Sequence, residues 1–104
     1  MAKNLDYVLL LDCYGELLTD RQKQIAELYY NEDFSLSEIA EMQGITRQAV
    51  RDSLRHTEQS LRRTEQKLGM AGRIGAMRSC LEQILVVSDS EQITQLARDG
   101  LALL

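Results

Sequence analysis

Proline is absent from the 104 residues, and the chain holds only one histidine and two cysteines. Without proline the strongest interruption of a helix interior is missing. The six glycines fall mostly where helices would end, so the chain reads as all-α with long segments. Cys13 and Cys80 make no CxxC pair and His56 stands alone, so their spacing assembles no metal-ligand set. The two thiols read as buried and cytosolic. No apolar run approaches the ~18 residues of a membrane span. The run from Tyr7 to Leu11 is closely bracketed by Asp6 and Asp12, too short for a span and wrong for a signal peptide. A cytoplasmic chain with no membrane contact is expected. Catalytic patterns are missing as well: there is no Gly-rich phosphate loop, no GxSxG and no HExxH. Carboxylate pairs such as Glu32-Asp33 sit in loop punctuation. No catalytic residue, metal or cofactor is expected.

Charge is present but unevenly spread. The formal net charge is −4. Residues 1–45 hold three basic and nine acidic side chains, residues 46–78 hold eight and three, and residues 79–104 hold one and four. The cation surplus is therefore confined to one stretch, which favours a local contact with a polyanion over a generally basic surface.

That stretch begins inside SLSEIAEMQGITRQAVRDSLR, Ser35 to Arg55. Ser35 and Glu38 have the spacing of a capping box. Leu36, Ile39 and Ala40 give a short helix its apolar stripe, and Gly44 supplies a residue that tolerates a left-handed turn. Thr46 caps the next helix, whose inward stripe starts at Ala49 and Val50. A small Ala40, a turn at Gly44 and a locking Val50 six residues later make the spacing of a helix-turn-helix. Gln43 departs from it, since an apolar residue usually precedes the turn glycine; Met42 stands beside it. The second helix runs unbroken from Thr46 to Leu68, roughly 34 Å at 1.5 Å per residue. Val50, Leu54, Thr57, Leu61, Thr64 and Leu68 form a seam with steps of four and three. Arg47, Gln48, Arg51, Arg55 and Arg62 occupy a separate arc beside it.

The flanking chain is helical by the same signals. A helix is expected from Lys3 to Tyr14, with apolar residues over much of its circumference, ending at Gly15. Thr19 to Gln22 offers a second capping box, followed by Ile25, Leu28 and Tyr29 as a buried stripe. Tyr29-Tyr30 reads as core and rim. After Leu68-Gly69, a helix with the stripe Ile74, Met77, Leu81, Ile84 and Leu85 ends near Val87. Ser88 to Glu91 offers one more capping box, and Ile93, Leu96, Ala97 and Leu101 define a last helix. The expected organisation is a helix-turn-helix core over 1–69, including the long helix 46–68, and a C-terminal helical extension over 70–104 packed into the same compact unit. The spare leucines of the tail and the length of the Thr46–Leu68 helix point to a homodimer.

Several motifs here, LLTD-x-Q (Leu17 to Gln22), ELYY (Glu27 to Tyr30), SLSEIAE (Ser35 to Glu41) and TRQAV (Thr46 to Val50), resemble the YlxM family of small bacterial proteins. More distantly they are similar to the region-four helix-turn-helix of sigma factors. Arg51 departs from the family, where an aromatic is commoner. The resemblance implies a cytoplasmic, dimeric helix-turn-helix protein tied to the signal recognition particle GTPase. It would act as a DNA-binding regulator or as an interaction module that contacts that particle's protein or RNA without binding DNA. On the first reading duplex DNA is the partner. Thr46, Arg47, Gln48 and Arg51 then read bases, Arg55 and Arg62 hold phosphates, and Ala40, Gly44 and Val50 build the motif.

Overall fold

Short polar side chains set most of the helix starts. In the computed structural model, which describes residues 5–104, the elements are α1 (Leu5–Tyr14), a 3-10 turn (Gly15–Leu17), α2 (Asp20–Tyr30), α3 (Leu36–Gln43), α4 (Arg47–Leu68), α5 (Met70–Val87) and α6 (Glu91–Ala102). The described residues contain no strand. The all-α class and the long helix from the motif turn to Leu68 are as expected. Lys3 and Asn4, expected in the first helix, lie outside the described residues. Thr19 Oγ1 accepts from the Gln22 amide and Gln22 Oε1 from the Thr19 amide, both at 3.2 Å. Ser35 and Glu38 repeat the exchange at 3.1 and 3.0 Å. The third box, expected from Ser88 to Glu91, is not made: the cap of α6 is Ser90, which leaves Glu91 at the first helical position instead of the third. Ser90 accepts from the Ile93 amide at 3.3 Å, and because the third helical residue is that isoleucine, no carboxylate returns the bond.

The chain divides between Leu68 and Gly69 into two compact units. In the first, α1, α2 and α3 all pack on α4. The α4 seam is buried at Val50, Leu54, Thr57 and Leu61, then lapses: Thr64 is half-buried and Leu68 exposed. Facing it are Leu10, Leu11 and Tyr14 of α1, Ile25, Ala26 and Tyr29 of α2, and Ile39 and Ala40 of α3. Each fully buried aliphatic among these is worth about 1.5–3 kcal/mol of transfer. The seam thus serves packing within the chain. Helix α1 is one-sided and not apolar all round, since Leu9 is exposed. Two tyrosines tie the outer helices to the far half of α4, Tyr30 Oη donating to Glu58 and Tyr14 Oη to Glu65, each at 2.5 Å. Thr64 satisfies its hydroxyl on the Ser60 carbonyl at 2.9 Å. Thr57, fully buried, has no partner for its own among the described residues.

In the second unit α5 and α6 pack as a hairpin. Gly100 lets α6 come close, since a Cβ there would meet the Leu81 side chain at 3.2 Å. The expected stripes are only partly used. Ile74, Leu81 and Leu85 are half-buried while Met77 and Ile84 stay exposed, and no residue of α5 is buried. On α6 Ala97 is buried and Leu101 half-buried, but Ile93 and Leu96 are exposed. Two helices have only one flank each to cover with the other, so the rest of a broad stripe stays in water. Cys80 is exposed for the same reason, and only Cys13 is partly covered.

Candidate nucleic-acid interface

Gly44 fixes the turn between α3 and α4. Its φ of 66° and ψ of 33° are left-handed, and nothing lies within 4 Å of where a Cβ would stand. The requirement is therefore one of backbone conformation and not of space. The Ile45 amide reaches back to the Ala40 carbonyl at 3.1 Å, the six-to-one bond of a Schellman ending. One residue on, Thr46 Oγ1 accepts from the Ala49 amide at 3.0 Å and starts α4. Ala40 and Val50, on either side of this turn, are buried.

With Val50 and Leu54 turned inward, the opposite arc of the first α4 turns is outward. Thr46, Arg47, Gln48, Arg51 and Arg55 are all exposed. Arg47, Arg51 and Arg55 make no ion pair or hydrogen bond among the described residues, so their guanidinium donors are uncommitted. Gln48 is held: its Nε2 donates to Asp52 Oδ1 at 3.1 Å. Asp52 thus takes a neutral partner on its own helix. A primary amide carries two N–H donors and one carbonyl. One donor and the carbonyl remain, the pair that adenine N7 and N6 require.

Arg62 is differently placed. Its guanidinium carbon lies 5.9 Å from the Tyr7 ring centroid, and Tyr7 in turn sits 5.9 Å from Tyr30. That is cation–π geometry on the α1 side of α4, separate from the Arg47–Arg55 group.

The sequence did not reveal what lies beside the arginines. A groove of about 440 Å³ is floored by Tyr29, Leu36 and Leu54 and walled by Arg51, Arg55 and Glu58. A second hollow, about 380 Å³, brings Arg47 and Arg51 next to Asp33 and Glu38. Asp33 is left-handed with φ 59°, unusual outside glycine. Its one sequence signal was an Asp, among the residues that tolerate this conformation, just ahead of a helix cap. Burial and the Glu58 acceptor raise the Tyr30 phenol above its ordinary value, and burial followed by the Glu65 charge raises the Cys13 thiol. No group of three potential metal-ligating side chains occurs among the described residues, and no described helix is long and apolar enough to cross a membrane.

The sequence pattern of the UPF0122 family, described as a helix-turn-helix protein, YlxM / p13 like, matches residues 1–99. The chain belongs to this family. Among its members, a UPF0122 protein of Desulforamulus reducens is 47% identical over 81 residues, covering 78% of this chain and 69% of the relative. One from Symbiobacterium thermophilum is 40% identical over 96 residues, 92% of this chain and 89% of its own. A Thermoanaerobacter relative is 47% identical over 76 residues, 73% of this chain and 65% of its own. The match thus spans about two-thirds of some relatives and most of another.

Proposed function

We propose that the first unit binds duplex DNA as a regulator, with the start of α4 in the major groove. The observation that carries this reading is the set of three uncommitted, exposed arginines on the first turns of a helix whose back is locked onto α3. Arg47 and Arg51 would meet guanine O6 and N7, and Gln48, pre-oriented by Asp52, would meet adenine. Thr46 opens the same helix. Arg55 would hold a phosphate, and Arg62 would join it only by leaving the Tyr7 ring. The protein would work as a cytoplasmic homodimer, two reading helices one DNA turn or ~34 Å apart.

A second reading is supported by the groove. Asp33 and Glu38 beside Arg47 and Arg51, with an apolar floor close by, make a mixed-charge surface of the kind that suits protein better than phosphate. On that reading the protein is a non-DNA-binding module that contacts the signal recognition particle GTPase or its RNA. Selection from random duplexes, run beside titration of the particle's protein and RNA, separates the two. Enrichment of a duplex motif supports the DNA reading. Failure to enrich any duplex, with saturable binding to the particle, retires it.

A further inference from the structure

The second unit leaves its apolar surface in an ordered place. On α5 the exposed Met70, Met77 and Ile84 recur every seven residues, and the exposed Cys80 and Val87 fall three beyond the last two. That is the spacing of a helix seam, yet nothing in the hairpin fills it. On α6 Ile93 and Leu96, and just past its end Leu103, are exposed at steps of three and seven. At about 100° per residue, each stripe is turned roughly 90° from the residues its helix offers to the other one. The turn has the same rotational sense in both helices. Because the two helices of a hairpin run antiparallel, equal turns bring both stripes to the same flank. Cys80, Ile84 and Val87, with Gln83 and Val86, also line a hollow of about 560 Å³ on α5.

We infer that this flank is a self-association surface, covered by the same flank of a second copy to close a four-helix arrangement. Three observations select a second copy. By their fractional exposures the eight side chains offer on the order of 800 Å², close to what each partner contributes to an interface of standard size. Arg73 is the one charge in the α5 seam, which gives a polyanion or an acidic partner little to pair with. The unit, residues 69–104, buries only Ala97, and segments shorter than about 40 residues need a staple or a partner to hold their fold. The inference gives the proposed homodimer its surface and does not depend on what α4 binds.

Sedimentation equilibrium of the full chain without nucleic acid tests it. The expected result is twice the chain mass at micromolar concentration, with a melting temperature that rises with protein concentration. Ile84→Glu combined with Leu96→Glu puts like charges on the flank and should give a monomer whose helical circular dichroism is retained, since both side chains are exposed. The milder pair Met77→Gln and Leu96→Gln should raise the dissociation constant at least ~10-fold. Exchanging charges on the opposite flank, Glu82→Lys with Arg98→Glu, should leave the mass unchanged. A monomeric wild type, or a dimer that survives both substituted pairs, overturns the inference.

Discussion

The two units are built from the same material and differ in what they can cover. In the first, three helices surround α4, and its inward residues Val50, Thr57 and Leu61 lose all or nearly all contact with water. In the second, two helices face each other, and one alanine is buried. Apolar periodicity alone does not make a core, because a helix needs neighbours on each side of its stripe. The first unit can therefore hold arginines on a fixed frame, while the second is left with an uncovered flank.

The largest expected contrast is in side-chain truncation. Leu61→Ala should destabilise the first unit by about 2–5 kcal/mol, the cost of removing a core leucine and leaving a cavity. Val86→Ala, at a side chain 84% exposed, should change stability by less than ~0.5 kcal/mol. Urea unfolding of both variants checks the pair, and equal losses would break the contrast.

Glycine should show the same division with opposite signs. Gly44→Val should cost about 1–2 kcal/mol through its left-handed backbone, although the surrounding space is open. Gly75→Ala, inside α5 and also in open space, should gain up to ~1 kcal/mol. Calorimetry on the two variants measures both. No loss in Gly44→Val would mean the turn relaxes elsewhere.

Local signals were the most legible part of the fold. Thr19, Ser35, Gly44 and Thr46 each act within a few residues of chain, so sequence placed them correctly. Val50 and Ala40 followed from motif spacing. What could not be read was set by distance in sequence: Glu58 meeting Tyr30, Glu65 meeting Tyr14, and Arg62 lying over Tyr7 depend on how α1 and α2 settle on α4. The groove beneath Arg51 and Arg55 belongs to the same class, since its floor comes from three helices. The exposed state of Met77, Ile84, Ile93 and Leu96 was missed for a different reason. A stripe's period says that it faces something, without saying how much of it the chain itself can cover.

A smaller effect concerns the one flaw in the first core. Thr57→Val replaces a buried hydroxyl that lacks a partner with a methyl of similar volume, and should stabilise by about 1 kcal/mol. Thr64→Val, which gives up a bond to the Ser60 carbonyl, should not. A stability rise in both, or in neither, would show that the Thr57 site is not distinctive.

The pH dependence should be gentler still. Burial and the bond to Glu58 raise the Tyr30 phenol, so its protonated form is favoured in the folded state. Stability from this group is then fully present below the ordinary tyrosine value near 10 and falls as pH rises above it. Tyr30→Phe should lose stability at neutral pH and flatten this alkaline decline. An unchanged decline in the variant would assign it to other groups.

The account rests most heavily on the Arg47–Arg55 group meeting phosphate and base. Duplex affinity measured against salt concentration tests this directly. A dimer brings on the order of six arginine charges of this group to the duplex, so log K should fall against log salt with a slope of up to about −5, from roughly 0.9 per phosphate neutralised. Arg55→Ala should make the slope shallower by about 2 and weaken all sequences alike, while Gln48→Ala or Arg51→Ala should relax discrimination by about 1–3 kcal/mol. A slope near zero, or one that Arg55→Ala leaves unchanged, would contradict the proposed interface.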